Sequence, residues 1–351
     1  MTSTTTPKKL LYEVSIIRPT IIFLLVVLHS FTLLAQGDEN MDDYQLNTVY
    51  QWFVWLIYGF RIETIALVAG YVFAYQSIDL KRSYRFGPFV WKKFKRLIIP
   101  MLVFGLVYYF CFEFKTASFS VKTFLVKWFS GCGHLWFLPM LFECFLAIWI
   151  IDRFKLSSWL TLFVLAAITL FPTPAYLPFG LGKLPHFLFF VYAGYFLWTK
   201  RDWLFQHCLN HTTICILWMF YVLFVVLVHT ALPSATPEMN IVQKGLVLLL
   251  NHSVKLLMSC CGIMALYLTV CKITTKEGYR PKQWVIEASD NCYGVYVYHQ
   301  FILVFLYFYT PLVSVCHPYL VPWIGLVVTL LVSLLLTKLT LKTKPGRFLI
   351  G

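Results

Sequence analysis

The chain has 351 residues, of which 60% are hydrophobic and 13% charged, with a formal net charge of +14. Soluble domains run at about 45–50% apolar and about 25% charged residues, so a soluble globular protein is excluded at once. The basic excess does not indicate nucleic acid, because its lysines and arginines are gathered on one side of a membrane topology. With both termini inside, most of the 29 cations fall in cytoplasmic segments, at Lys8 and Lys9, 81–96, Arg153 and Lys155, Lys200 and Arg201, 272–282 and 338–347. That is the positive-inside pattern, and it makes the charge a report on orientation.

A membrane helix needs about 20 mostly apolar residues. Ten runs qualify, at roughly 16–36, 49–76, 97–114, 134–151, 157–172, 184–199, 212–231, 246–271, 292–310 and 319–338. They are too uniformly apolar for barrel strands, which alternate over about ten residues. The expected fold is all-α: one polytopic bundle of about ten transmembrane helices filling 1–351, with cytoplasmic tails at about 1–15 and 339–351.

The first run holds RPTIIFLLVVLHS (18–30), with Arg18 at its start and His29 near its end. It is long, Arg18 interrupts its start and no A-x-A site follows, so it is a membrane helix and not a cleaved signal. Eleven residues at ~100° each bring Arg18 and His29 to within ~20° of one face, ~16.5 Å apart along the axis. Arg18 is then near the cytoplasmic headgroups and His29 in the outer half. A snorkelling arginine and a separate, satisfied histidine is the plainer reading of the spacing. The acidic loop GDENMDD (37–43) has no cation and belongs outside.

The second run contains FRIETIALVAGYVF (60–73). Arg61 and Glu63 are two residues apart and do not face each other on a helix, so each calls for a partner elsewhere. Gly70 permits close helix packing. KRSYRFGPFVWKKFKR (81–96), with Lys93, Lys95 and Arg96, is denser in charge than orientation requires. It suits anionic lipid headgroups or a cytosolic ligand bearing several phosphates. The fourth run opens with GCGHLWFLPMLFEC (131–144), where two glycines flank the approach to His134. Trp136 can stack on a sugar face or belong to the aromatic belt. Glu143 falls in mid-membrane, where a carboxylate is protonated or paired. The ninth run contains YGVYVYHQFIL (293–303) with His299 and Gln300. A histidine among so many aromatics is commonly structural, and the same holds for His186 and His229. The ten cysteines are scattered without CxxC or Cys/His ligand spacing, so they read as small hydrophobes and no metal is expected.

Taken together these segments resemble the acyltransferase-3 family of bacterial ten-helix membrane O-acyltransferases. Arg18 to His29 is similar to the family's Arg-x10-His signature. FRIETIALVAGYVF resembles its second segment, with Ala69 where serine is usual. WKKFKRLIIP (91–100), GHLWFLPMLF (133–142), YGVYVYHQFIL and the tail TKPGRFLIG (343–351) resemble further family segments in order. Gln300–Phe301 replace the frequent x-Pro, and no appended SGNH-type hydrolase domain is seen. The resemblance implies a multi-pass enzyme of the bacterial inner (plasma) membrane. It would move an acyl group, acetyl or succinyl, from cytosolic acyl-coenzyme A to a hydroxyl of a surface glycan or lipid-linked saccharide. No cofactor beyond the donor is implied, and membrane lipids are the other partners.

On that reading His29 is the general base or transiently carries the acyl group, and Arg18 holds the donor or stabilises developing charge. Glu143 or Glu63 orients a histidine or balances an arginine. Lys93, Lys95, Arg96 and Arg61 would bind acyl-coenzyme A, and His134, Trp136, Glu63 and His299 the acceptor. A transporter or a lipid or glycan flippase is the alternative, since intramembrane charges also mark substrate paths. The paired halves with broken helices of many transporters are not seen. A purely structural membrane protein would have little use for Arg18, Glu63 and Glu143 together. The oligomeric state is left open.

Overall fold

The computed structural model describes residues 11–36, 48–82, 84–114, 119–171, 173 and 177–351. The acidic loop 37–43 and the cations Lys8, Lys9 and Lys115 lie outside the described residues. The described residues are helical without strands: α1 (Tyr12–Gln36), α2 (Thr48–Tyr58), α3 (Arg61–Ala74), α4 (Phe86–Lys93), α5 (Ile99–Tyr108), α6 (Val121–Ser130), α7 (Phe137–Arg153) and α8 (Trp159–Thr169). They continue as α9 (Leu184–Thr199), α10 (Arg201–Cys208), α11 (His211–Thr230), α12 (Ile241–Thr274), α13 (Gln283–Phe308), α14 (Leu312–Val315), α15 (Val321–Leu341) and α16 (Lys344–Ile350). Hydrocarbon offers no hydrogen bonds, so backbone groups must be satisfied within the segment.

Among the described residues, seven spans are long and apolar enough to cross a membrane: Tyr12–Leu33, Thr48–Asp79, Phe86–Glu113, Gly133–Arg153, His211–Thr230, Ile241–Thr274 and Val321–Leu341. The other three expected runs are helical too. α8 and α9 are short, with 11 and 16 residues. α13 has 26 residues, and Asn291, His299, Gln300 and its tyrosines dilute its apolar character.

The expected single helix at 49–76 is broken at Gly59–Phe60. Side chains of α11, α12 and α3 itself satisfy the carbonyls there. Ser259 Oγ donates to the Gly59 carbonyl at 2.7 Å, Tyr221 Oη to Leu56 at 2.6 Å, and Thr64 Oγ1 to Phe60 at 2.6 Å. The break makes Arg61 the first residue of α3. Three further interruptions among the described residues are π-helical turns, Tyr75–Asp79, Phe94–Ile98 and Tyr109–Glu113, the first two flanking the basic 81–96 run. Such turns are frequent at functional sites.

α3 packs along α9, α11 along α12, and α13 against both α1 and α15. The α3–α9 crossing brings backbone onto backbone. A Cβ on Gly70 would lie 1.7 Å from the Val191 carbonyl oxygen, and one on Gly194 1.9 Å from that of Leu67. Backbone cannot rotate away as a side chain can, so these contacts demand glycine.

Gly194→Ala should therefore force the two helices apart and destabilise the bundle by about 1–3 kcal/mol. Thermal unfolding followed by size-exclusion in detergent would report it as a lower midpoint. Gly245→Ala on α12, where an added methyl meets nothing within 4 Å, should be neutral or slightly stabilising. Equal midpoints for Gly194→Ala and wild type would refute this crossing.

Candidate active site

The fourth span is entered through a turn made by glycines. Gly131 (φ 84°) and Gly133 (φ 54°) both adopt left-handed backbone that side chains resist. A Cβ at Gly133 would also strike the Tyr108 ring at 2.8 Å. The turn leads into a 3-10 segment, Gly133–Trp136, which carries His134 into the protein interior, only 5% exposed. His134 Nε2–H donates to the Val297 carbonyl at 3.1 Å. Tyr296 Oη donates in turn to the His134 carbonyl at 2.6 Å. The turn is thus tied twice to α13.

Three residues beyond Tyr296, one helical turn, stands His299, fully buried. Its Nδ1 lies 2.6 Å from the Tyr296 carbonyl and its Nε2 lies 2.9 Å from His29 Nδ1. A carbonyl can only accept, so His299 Nδ1 carries the hydrogen. In the neutral ring Nε2 is then bare and can only accept. His29 Nδ1 must therefore be the donor, and the lone pair of His29 sits on Nε2. One carbonyl oxygen thus sets the tautomer of two rings, 270 residues apart in the chain. His29 keeps partial exposure, whereas His299 has none. The rings are nearly parallel, with centroids 5.1 Å apart, and the His134 ring is 4.7 Å from that of His299 in an edge-on arrangement.

A cavity of about 640 Å³ opens on the cytoplasmic side beneath these histidines. Arg18, Arg82, Lys92, Lys93 and Arg96 line its charged part, with Asp290 as the acidic counterpart. Its apolar part is walled by Ile21, Ile22, Val68, Leu138 and Phe137 and reaches Thr64 and Tyr296. Lys93 Nζ rests 3.2 Å above the Phe145 ring and Arg96 lies over Tyr293, so both cations are held by aromatic faces. The cavity runs from a cationic mouth to an apolar end, one helical turn from His299.

Comparison with known sequences adds the decisive observation. The acyltransferase-3 profile, described as an acyltransferase domain, matches residues 11–338, nearly the whole chain. The chain belongs to the acyltransferase-3 family. It is therefore a multi-pass membrane acyltransferase, which sets aside the transporter alternative as its class. No curated protein and no solved structure matches the chain.

The remaining candidates of this acyltransferase-3 protein lie outside the cavity lining. Arg61 is 6% exposed and begins α3, one turn from the cavity-lining Thr64; it does not itself line the cationic mouth. Lys95 also stands apart from the cavity, 5.6 Å over the Trp91 ring. Glu63 meets His186, Oε1 to Nε2 at 3.4 Å. Glu143 makes no ion pair or hydrogen bond with the histidines, and its Oε2 has no partner among the described residues. Trp136 offers one ring face to Lys183 Nζ, 3.3 Å from its centroid. Burial pushes the Lys183 ammonium below the ordinary lysine value. Outside the site, Glu113 pairs with Lys127 at 2.8 Å and His229 stacks on Trp55.

The pairing of His29 with His299, the tie from Tyr296 to His134 and the cavity position of Asp290 had no signal in the sequence beyond an aromatic-rich ninth run, whereas Arg82 and Tyr84 fall in the basic 81–96 run. Among the described residues, no group of three His, Cys, Asp or Glu side chains could hold a metal ion.

Tyr296→Phe should leave the buried His134 carbonyl without its donor, a loss of about 1–3 kcal/mol. Unfolding of the purified variant would show it. Tyr298→Phe, whose hydroxyl meets Thr340 at a half-buried site, should cost less. The reverse order would contradict the tie.

Proposed function

We propose that this acyltransferase carries acyl groups from cytosolic acyl-coenzyme A to a hydroxyl of a cell-surface glycan or lipid-linked saccharide in a bacterial plasma membrane, with acetyl or succinyl as the group. The observation that supports this most is the chain from the Tyr296 carbonyl through His299 to His29. It leaves a basic nitrogen, His29 Nε2, at the end of a cavity whose mouth suits coenzyme A phosphates.

The donor's phosphates would lie among Arg18, Lys93 and Arg96, with Arg82 and Lys92 beside them. Guanidinium and ammonium groups are the natural partners of phosphate oxygens. The pantetheine arm would follow the apolar wall past Ile22 and Leu138 and bring the thioester toward His29. The acceptor hydroxyl would reach His29 from the outer half, where its ring retains exposure.

His29 Nε2 then takes the hydroxyl proton as the oxygen attacks the thioester carbonyl. The carbon–sulfur bond breaks as the carbonyl reforms, and the imidazolium returns its proton to the leaving thiolate. Products are the ester and free coenzyme A. His299 accepts from His29 Nδ1–H throughout, so the ring stays oriented while its charge rises and falls. This is the role that a carboxylate plays in a serine-hydrolase triad. Trp136 and His134 would border the acceptor side. Glu63, through His186, would balance charge there.

His29→Ala should abolish acyl transfer measured in membranes at wild-type expression; near-normal transfer would defeat the proposal. His299→Ala should lower kcat about 10²–10⁴-fold, with His186→Ala much milder. Lys93→Gln and Arg96→Gln should each raise KM for acyl-coenzyme A about tenfold, the loss of one charge-assisted contact of about 1.5 kcal/mol. If instead the acceptor's KM rises and the donor's does not, these cations serve another purpose. Mass spectrometry of surface glycans with and without the gene identifies the product.

A further inference from the structure

Arg61 is the least explained cation in the interior. The Gly59–Phe60 break puts it at the first position of α3, where it is 6% exposed. Its Nε and Nη1 are buried and have no hydrogen-bond partner among the described residues. Its nearest aromatic face, Tyr58, is 5.5 Å from the guanidinium carbon. Glu63 lies two residues on and is turned to His186, so it does not close the guanidinium fork. A buried guanidinium with two unpaired N–H donors is strongly unfavourable unless an anion completes it.

Its location says which anion. The inner end of the cavity is lined by Ile22 on α1, Thr64 on α3, Phe137 on α7 and Tyr296 on α13. Arg61 is one turn outward from Thr64, His134 one turn from Phe137 and His299 one turn from Tyr296. His29, about two turns beyond Ile22, reaches the same layer through its hydrogen bond to His299. Arg61 thus enters the layer of the three histidines just beyond the cavity's end.

We propose that Arg61 is a catalytic residue: its Nε–H and Nη1–H donate to the oxygen of the acyl carbonyl as that oxygen becomes an oxyanion. The inference rests on the acyl-transfer reading above. When the acceptor oxygen attacks, the carbonyl π electrons move onto this oxygen, and Arg61 holds the resulting charge. They return when the carbon–sulfur bond breaks. Arg61 gains and loses no proton. The division of labour is then plain: Arg18, Lys93 and Arg96 hold the donor's phosphates, and Arg61 holds charge that exists only during the reaction.

The test uses the full-length protein in lipid nanodiscs, with radiolabelled acetyl- and succinyl-coenzyme A as donors and membranes from cells lacking the gene as acceptor. Arg61→Gln should lower kcat about 10²–10³-fold, as expected for loss of an oxyanion donor. The dissociation constant for the donor, measured by calorimetry, should stay within about threefold of wild type. Arg61→Lys keeps the charge but loses the fork and should also be slow while melting near wild type, which separates chemistry from folding. Added guanidinium should restore part of the rate to Arg61→Ala, a response that a merely structural role would not give. A kcat within about threefold of wild type in Arg61→Gln overturns the inference. So does a weakened donor affinity with kcat unchanged, which would make Arg61 one more donor contact. His29→Ala runs alongside. If it is inactive while Arg61→Gln is active, only the role of Arg61 falls. If His29→Ala is active, or wild type transfers from neither donor, the acyl-transfer reading falls and Arg61 with it.

Discussion

The hydrogen bond between His29 and His299 is the contact on which the organisation of this protein depends. It joins α1 to α13 in the interior, where His299 is fully buried and His29 only partly exposed. In such surroundings a polar group is satisfied by another part of the protein or it is costly. The chain meets this by a series in which each member fixes the next: Tyr296 carbonyl, His299, His29. Because the carbonyl has no proton to give, the direction of the series cannot reverse while the rings are neutral. A histidine whose lone pair must point one way is a prepared base, and the preparation costs nothing at the moment of reaction.

The rest of the interior is arranged around that pair. The glycine turn at 131–133 brings His134 in, and Tyr296 ties it to α13 at 2.6 Å. The break at Gly59–Phe60 delivers Arg61 to the same layer, with Ser259 and Tyr221 satisfying the carbonyls it exposes. The glycine contact of α3 with α9 locks the helix that carries Arg61. On the cytoplasmic side the π-helical turns Tyr75–Asp79 and Phe94–Ile98 coincide with the cavity mouth, where Gln76 and Arg96 line the wall. Departures from regular helix therefore concentrate where side chains must be aimed, and the regular stretches serve to span.

Much of this was legible in the sequence, and the reasons differ from feature to feature. The apolar runs forecast helices because hydrocarbon permits little else, and each of the ten runs is helical in the structure. Periodicity puts Arg18 and His29 on one face; Arg18 lines the cavity, and His29 is bonded to His299, one turn beyond the cavity-lining Tyr296. What stayed hidden is long-range. Nothing in YGVYVYHQFIL says that His299 meets a residue 270 positions earlier, because that depends on how α13 lies against α1. The 49–76 run gave no sign of its break, since Gly59 and Phe60 fit an apolar helix well enough. Hence charge alone groups the intramembrane Arg61 with the donor-binding cations, and depth alone brings Glu143 near the histidines. Charge and depth are readable from a sequence, whereas azimuth around the bundle is not.

The separation between the two kinds of arginine follows from the same physics. Arg18 stands in a cavity with Asp290 acting on it and other cations around it. There a guanidinium keeps company with mobile charge and exchanges partners at modest cost. Arg61 is enclosed, and two of its donors have no partner among the described residues. A low-dielectric setting makes any charge met there interact far more strongly than at the mouth. Binding a donor calls for the first setting, since product must leave again. Stabilising a charge that lives only while bonds change calls for the second, because an interaction present only in the transition state raises the rate without trapping substrate or product. The protein has arginines in both settings: Arg18, Arg82 and Arg96 line the cavity, and Arg61 is enclosed.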